Sequence, residues 1–400
     1  MRRREALAAG GVALGTASAG CLSSLRREDA WRELVVDPPD GVYVPPHADE
    51  MVTVGEATDG GREVSLHVTR PHSFWTLAGA ERSRAAVRSR HDLHLMVDVR
   101  DVGSGVIVPS TVTTTIQSGT EAETATNGGE STDRRTLWPM LSQRMGVHYG
   151  DNVALEGEGT DAVTVRVGPT LADPIGPLPT ELEESASVDI PFEYDPATIE
   201  GLERRLIDAN EGRGEPDALE PMGNHGDGSN AANYRDGSSN DGHGDGLGND
   251  GHGDDLSVGG PVDRSPFDRA GATRVGSASV GDLDCIVVIV TDLDRGEANA
   301  DTAESVALAV AVRTPYNRYP IPFATLSATI AREGNGIAAG SLREVIDPRD
   351  GHHYRTDVDP ALLERGDQLA IIVETPPQLA RHEGYETAFL ETGMATVNLE

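Results

Sequence analysis

A chain of 400 residues with 66 acidic and only 33 basic side chains carries a formal charge of -33. All the basic residues are arginine, and no clustered cations stand ready to neutralise phosphates, which argues against nucleic acid as a partner. The acidic excess and the 4% aromatic content read as adaptation to high salt, where screening suppresses self-repulsion; the alternative is a surface made to attract cations.

Residues 1–20 read as an export signal. Arg2-Arg3-Arg4 fits a twin-arginine leader, and a short Ala/Gly/Val run follows that is too weakly apolar to span a bilayer. The run closes at Ser18-Ala19-Gly20-Cys21, a lipoprotein-like cleavage box. Cys21 is therefore expected to be lipidated and to anchor the mature chain in membrane lipid at the outer face of the cell membrane. No other long apolar segment follows, so the body is expected to be soluble and tethered at one end. The second cysteine, Cys285, lies in a continuous apolar run and is expected in a core.

Residues 21–54 form an N-terminal extension broken by Pro38-Pro39 and Pro45-Pro46. Short Val/Thr/Ile-rich runs at 63–69, 92–100, 106–117, 152–155, 162–167 and 188–194 predict strands separated by turns. Residues 119–133 read as a polar loop, and 197–208 as a brief helix capped by Asp195 with Pro196 in its first turn. Residues 210–260 are rich in Gly, Asp, Asn and Ser, with histidines at 225, 243 and 252; too little apolar surface is present to fold, so a disordered linker is expected.

The chain after the linker repeats the order of landmarks before it. Val106 to Ile116 parallels Tyr319 to Ile330, each after a strand ending in Val-Arg, at Val99-Arg100 and Val312-Arg313. Gly146-Val147-His148-Tyr149 parallels Gly351-His352-His353-Tyr354. The expected fold is all-β: two tandem immunoglobulin-like β-sandwich domains, at 55–209 and 261–400.

Chemistry concentrates in the first repeat. A strand over 92–100 places His94, Met96 and Asp98 on one face, because side chains alternate. Residues 137–153 read as a loop entering a strand, and contribute Met140, Met145 and His148. Imidazole with thioether suits copper, or ferrous iron if a carboxylate such as Asp98 joins. Met145 is a reserve donor. The same residues have a structural reading, with Met96 filling a core and His148 hydrogen-bonded in a turn. The second repeat has Ala307, Ala309 and Ala311 on its equivalent strand and keeps only His353, so it is not expected to hold metal alone. The segment His47-Ala48-Asp49-Glu50-Met51 is a possible further or entry site as well as a polar turn; Pro71-His72-Ser73-Phe74-Trp75 reads as an aromatic patch, with His72 a minor candidate ligand.

The His94-Leu95 strand, the Val-Pro and Ile-Pro strands, the Trp138-Pro139-Met140 segment and His148-Tyr149-Gly150-Asp151-Asn152-Val153 resemble the periplasmic iron-transport protein family. The resemblance covers most of 60–170 and, more weakly, 280–400. It implies copper- and iron-binding, Ig-like proteins working beside an inner-membrane iron permease. The family has Glu where Met96 stands, so the site here is softer. The family's homodimers complete each site with a His from the partner, after a Pro-Pro turn. Here Pro376-Pro377 precedes His382 in the second repeat, and the first repeat has no counterpart. The resemblance therefore implies an intramolecular pseudo-dimer whose site combines His94, Met96, Met140 and His148 with His382; the other reading leaves His382 on the surface.

The expected function is a lipoprotein that binds copper and/or iron and supports iron uptake, not an enzyme. A copper-dependent redox protein and a metal-free adhesion module are the alternatives.

Overall fold

The computed structural model describes residues 37–118, 131–155, 159–222, 267–291 and 306–399. The export signal, Cys21 and the linker histidines lie outside the described residues. Among those described, no helix is long and apolar enough to cross a membrane.

The first half contains β1 (His47–Asp49), β2 (Met51–Asp59), β3 (Arg62–Thr69), β4 (Phe74–Ala78), β5 (Glu81–Ala85), β6 (Leu93–Asp101) and β7 (Val112–Ser118). It continues with β8 (Ser131–Thr136), β9 (Trp138–Ser142), β10 (Gly146–Val153), β11 (Gly159–Val167), β12 (Asp173–Pro174), β13 (Ala186–Tyr194), the helix α1 (Pro196–Gly201) and β14 (Arg204–Leu206). The second half contains β15 (Ala272–Val280), β16 (Leu283–Val290), β17 (Val306–Arg313), β18 (Thr325–Arg332) and β19 (Asn335–Asp347). It ends with β20 (Gly351–Val358), β21 (Gln368–Thr375), β22 (Ala380–Arg381) and β23 (Gly393–Asn398).

The architecture is all-β, with two Ig-like sandwiches. In the first, a sheet ordered β2-β3-β6-β10-β9-β22-β4-β5 faces a sheet ordered β13-β11-β7-β8. Alternation decides which side chains meet between them: Val64, Leu66 and Val68 of β3 and Leu93, Leu95, Val97 and Val99 of β6 join Val163, Val165, Val188 and Ile190 in one core. In the second, Cys285 and Val287, Leu308 to Val312 at alternate positions, and Leu369 to Val373 at alternate positions form the equivalent core. Burial pushes the Cys285 thiol up to about 12, so it stays a protonated, apolar filler.

The halves share details that sequence order alone could not fix. Tyr149 Oη accepts a hydrogen bond from Ser110 N, and Tyr354 Oη accepts one from Ala324 N. His148 opposes Met140 across β10 and β9 as His353 opposes Val345 across β20 and β19. Isolated bridges join Arg100 to Ile107 and Arg313 to Pro320.

Several expectations need adjusting. The segment expected as a loop before a strand is a hairpin of β9 and β10, entered at Gly146, whose φ is 72° and where a Cβ would stand 2.7 Å from the Tyr319 ring. The helix after Asp195 does receive its cap, with Ala197 N bonded to the Asp195 carboxylate, but ends at Gly201; 204–206 instead pairs with β1. Part of the expected 119–133 loop is β8. The extension and first repeat do not divide at 54, which falls within β2. Residues 210–222, expected as linker, are held in place: Gly214 N bonds Val44 O, and Met222 N bonds Arg144 O.

The halves pack on each other. Ile107, Leu141 and Val147 of the first join the core cluster of the second. Tyr319 donates to Arg144 O at 3.0 Å, and Asn317 to Gln143 O at 2.6 Å. Most tellingly, β22 inserts between β9 and β4, so a strand of the second half completes a sheet of the first.

Candidate metal centre

The core sheet of the first sandwich has a second face, and it is covered too. Register places His94 and Met96 of β6 across from Asn152 and Gly150 of β10, with Met140 of β9 opposite His148. β22 brings Ala380 beside Met140, and the residue two further on, His382, shares that face. His94, Met96, Met140 and His148 are at most 2% exposed, and His382 8%.

The imidazoles gather. His148 and His382 ring centroids lie 5.5 Å apart, and His94 and His382 6.2 Å. His72 stands between them, 4.1 Å from His94 and 4.6 Å from His382. The aromatic-patch reading of 71–75 therefore holds for Phe74, which packs on Met140 and Ala380, but not for His72. Nothing in the composition of that segment marks His72; only the fold places it.

Hydrogen bonds fix the rings. A carbonyl oxygen can only accept, so His148 Nδ1 donates to Gly146 O at 3.1 Å and His72 Nδ1 to Arg70 O at 3.2 Å. His94 Nδ1 donates to Asn152 Oδ1 at 3.1 Å, an oxygen identified because Asn152 Nδ2 donates to His72 O. In each ring the proton is on Nδ1 and the lone pair on Nε2. The Nε2 atoms of His72, His94, His148 and His382 are all buried without a partner. A buried polar atom without a partner is costly, and four in one cluster call for an occupant. Asn152, which the sequence reading gave no role, orients two of the four.

Charge follows the same logic. Burial holds His148 down to about 4 and His94, His72 and His382 below the ordinary imidazole value, with the neighbouring imidazoles pushing His94 and His382 further the same way. All four are neutral at pH 7, the ligating form.

Gly150 shows where donors converge. A Cβ there would stand 2.7 Å from His94 Nε2 and 2.8 Å from Met140 Sδ, so imidazole and thioether point into one space that only glycine leaves open. Among the described residues, no three His, Cys, Asp or Glu side chains stand gathered as a chelating group. The rings tilt and stack on one another, and the chemistry of the set, neutral imidazole with thioether, is that of a soft-ion site.

The other candidates sort differently. Asp98 lies on the expected face, but its carboxylate is paired with Arg100 at 2.9 Å. Met145 and His47 line an adjoining cavity of about 100 Å³ that reaches Met96, His72 and His382. In the second half the equivalent face is an apolar cluster of Ala307, Ala309 and Ala311 with Ile286 and Val288, and Phe267 covers His353 at 5.0 Å.

Fold and cluster define a class: an all-β protein of Ig-like sandwiches carrying a buried set of neutral imidazoles and thioethers. A domain family of unknown function, DUF7350, matches residues 268–398. No curated protein matches. Similar solved structures include FetP of uropathogenic Escherichia coli strain F11, 19% identical over 36% of this chain and 96% of its own, with a TM-score of 0.26. A copper-bound FetP variant is 18% identical over 36% and 93%, with a TM-score of 0.28. The copper-reconstituted P19 protein of Campylobacter jejuni is 20% identical over 36% and 96%, with a TM-score of 0.26. At such values no residue role is carried over from them.

Proposed function

We propose that this protein binds copper and/or iron at one composite site and supports iron uptake beside a membrane permease, as a lipoprotein exported by the twin-arginine route and anchored through Cys21 in a high-salt setting. It acts as a binding protein without turnover. The two halves act as an intramolecular pseudo-dimer, the first giving His94, Met96, Met140 and His148 and the second His382.

The observation that carries this reading is the set of partnerless, buried Nε2 atoms drawn from both halves. A purely adhesive sandwich has no reason to bury neutral imidazoles with lone pairs unsatisfied. Copper is preferred because the thioethers of Met96 and Met140 are soft and the carboxylate on the same strand face, Asp98, is already paired. When bound, the ion would supply the charge that these neutral donors lack. The iron-uptake role rests on the family resemblance in the sequence, and anchoring rests on its leader.

The test is metal titration of the mature chain in high salt. One tight ion is expected at the composite site, and a His94→Ala/His148→Ala variant should bind at that site at least 100-fold more weakly, about 2.7 kcal/mol. Equal binding by the variant would remove the site.

A further inference from the structure

The cavity beside the composite site has a composition of its own. Met51, Met96, Met145 and Met222 line it, four of the seven methionines in 400 residues. Met140 lies directly behind, at Gly150. Thioethers fill irregular cores, but here they surround open volume, together with histidines that lack partners. His47 Nδ1 and His72 Nε2 are buried and unbonded.

Topology brings these donors together. Met51 pairs with Thr69 across β2 and β3, and Thr69 pairs with His94 across β3 and β6, so all three share the outer face. His72 follows β3 directly. His47 sits in β1, held by pairing with β14, its Nε2 3.6 Å from an Asp49 oxygen. Asp49 is itself committed to Arg204 at 2.6 and 2.7 Å. Met222 is committed too, its sulfur accepting from Arg144 at 2.6 Å. Glu383 and Glu386 line the cavity as well, one accepting from Arg144 N at 3.2 Å and the other from Tyr43 Oη at 2.7 Å. Apart from Met96 and His382 of the inner site, the donors left are soft or borderline: the imidazoles of His47 and His72 and the thioethers of Met51 and Met145.

We propose that His47, His72 and Met51 form a second, outer site for a cuprous ion, and that His72, in ring contact with both His94 and His382, joins it to the inner one. A hard divalent cation finds there only carboxylates already engaged by Arg204, Arg144 and Tyr43, whereas a monovalent soft ion is satisfied by neutral nitrogen and sulfur. The outer site rests on the function proposed above only for the inner destination of the ion.

The test is anaerobic cuprous titration of the mature chain against a competing chromogenic chelator, in high salt. Wild type should take two ions, His47→Ala/Met51→Leu one, and His94→Ala/His148→Ala also one, retained at the outer site. His47→Gln alone should weaken the second ion at least 10-fold, which keeps the test open if the double variant misfolds. Unchanged stoichiometry and affinity in the His47 variants would overturn the outer site, whatever the wild-type number. Loss of the inner ion alone, with the outer one intact, would count against the composite site and not against this one.

Discussion

Gly150 is the residue on which the inner site turns. Its missing side chain leaves the space shared by His94 Nε2 and Met140 Sδ. Gly150→Ala should therefore reduce metal affinity by at least 100-fold while leaving the β-sheet spectrum intact, because β10 remains paired on both edges; calorimetric titration beside circular dichroism separates the two effects. His353 offers the counter-case, a buried imidazole packed against Phe267 beside an apolar cluster. Burial lowers it from 6.5 to about 3. Since the folded value lies below the unfolded one, the unfolded chain binds the extra proton between them. Stability from this residue is complete above pH 6.5 and is lost as pH falls toward 3, at about 1.4 kcal/mol per pH unit. His353→Phe should flatten the acid side of a stability-against-pH curve by about that slope; an unchanged slope would mean that His353 is solvated.

At the scale of elements, one buried arginine positions the segment that carries His382. Arg381 is 1% exposed and donates to the carbonyls of Pro377, Leu379 and Phe389 at 2.9–3.0 Å. Burial lowers its guanidinium to about 9, yet it remains charged at pH 7. Arg381→Met keeps the stem but orphans three carbonyls. It should cost about 2–4 kcal/mol in chemical denaturation and loosen metal binding at least 10-fold, through disorder around β22. Strands were legible where apolar and polar residues alternate, as in β3 and β13, or where an apolar run is continuous, as in β16. The β9–β10 hairpin was not, because Pro139 and Gly146 read as loop residues while pairing with Tyr149 and Ser142 held them in strands. β22, two residues long, has no pattern to read; its position comes from pairing with elements about 240 and 305 residues away. His72 escaped for the same reason: its partners are set by long-range register, and nothing local marks it as different from a turn histidine. His94 and Met96 could be read because strand periodicity puts them on one face; Met140 and His148 could be read only as soft donors of a loop, and their cross-strand pairing came with the hairpin.

At the scale of the molecule, the two sandwiches divide the work. The first carries a polar face, and the second has alanines at the equivalent positions, covered by Phe267, with a similar core and a similar turn at His353. What the second half contributes is β22 and His382, delivered across an interface that also ties Arg144 to Glu383 and Tyr43 to Glu386. Burial pushes the Glu383 carboxyl up to about 7. The composite site proposed above would belong to the interface and not to either fold.

The most direct measurement is tight-metal titration of the mature chain in high salt, comparing wild type with His382→Ala. A composite site predicts one inner ion, weakened at least 10-fold by removing an imidazole that lies in the opposite half. Inner-site affinity indifferent to His382→Ala would confine the metal to the first sandwich and contradict the pseudo-dimer.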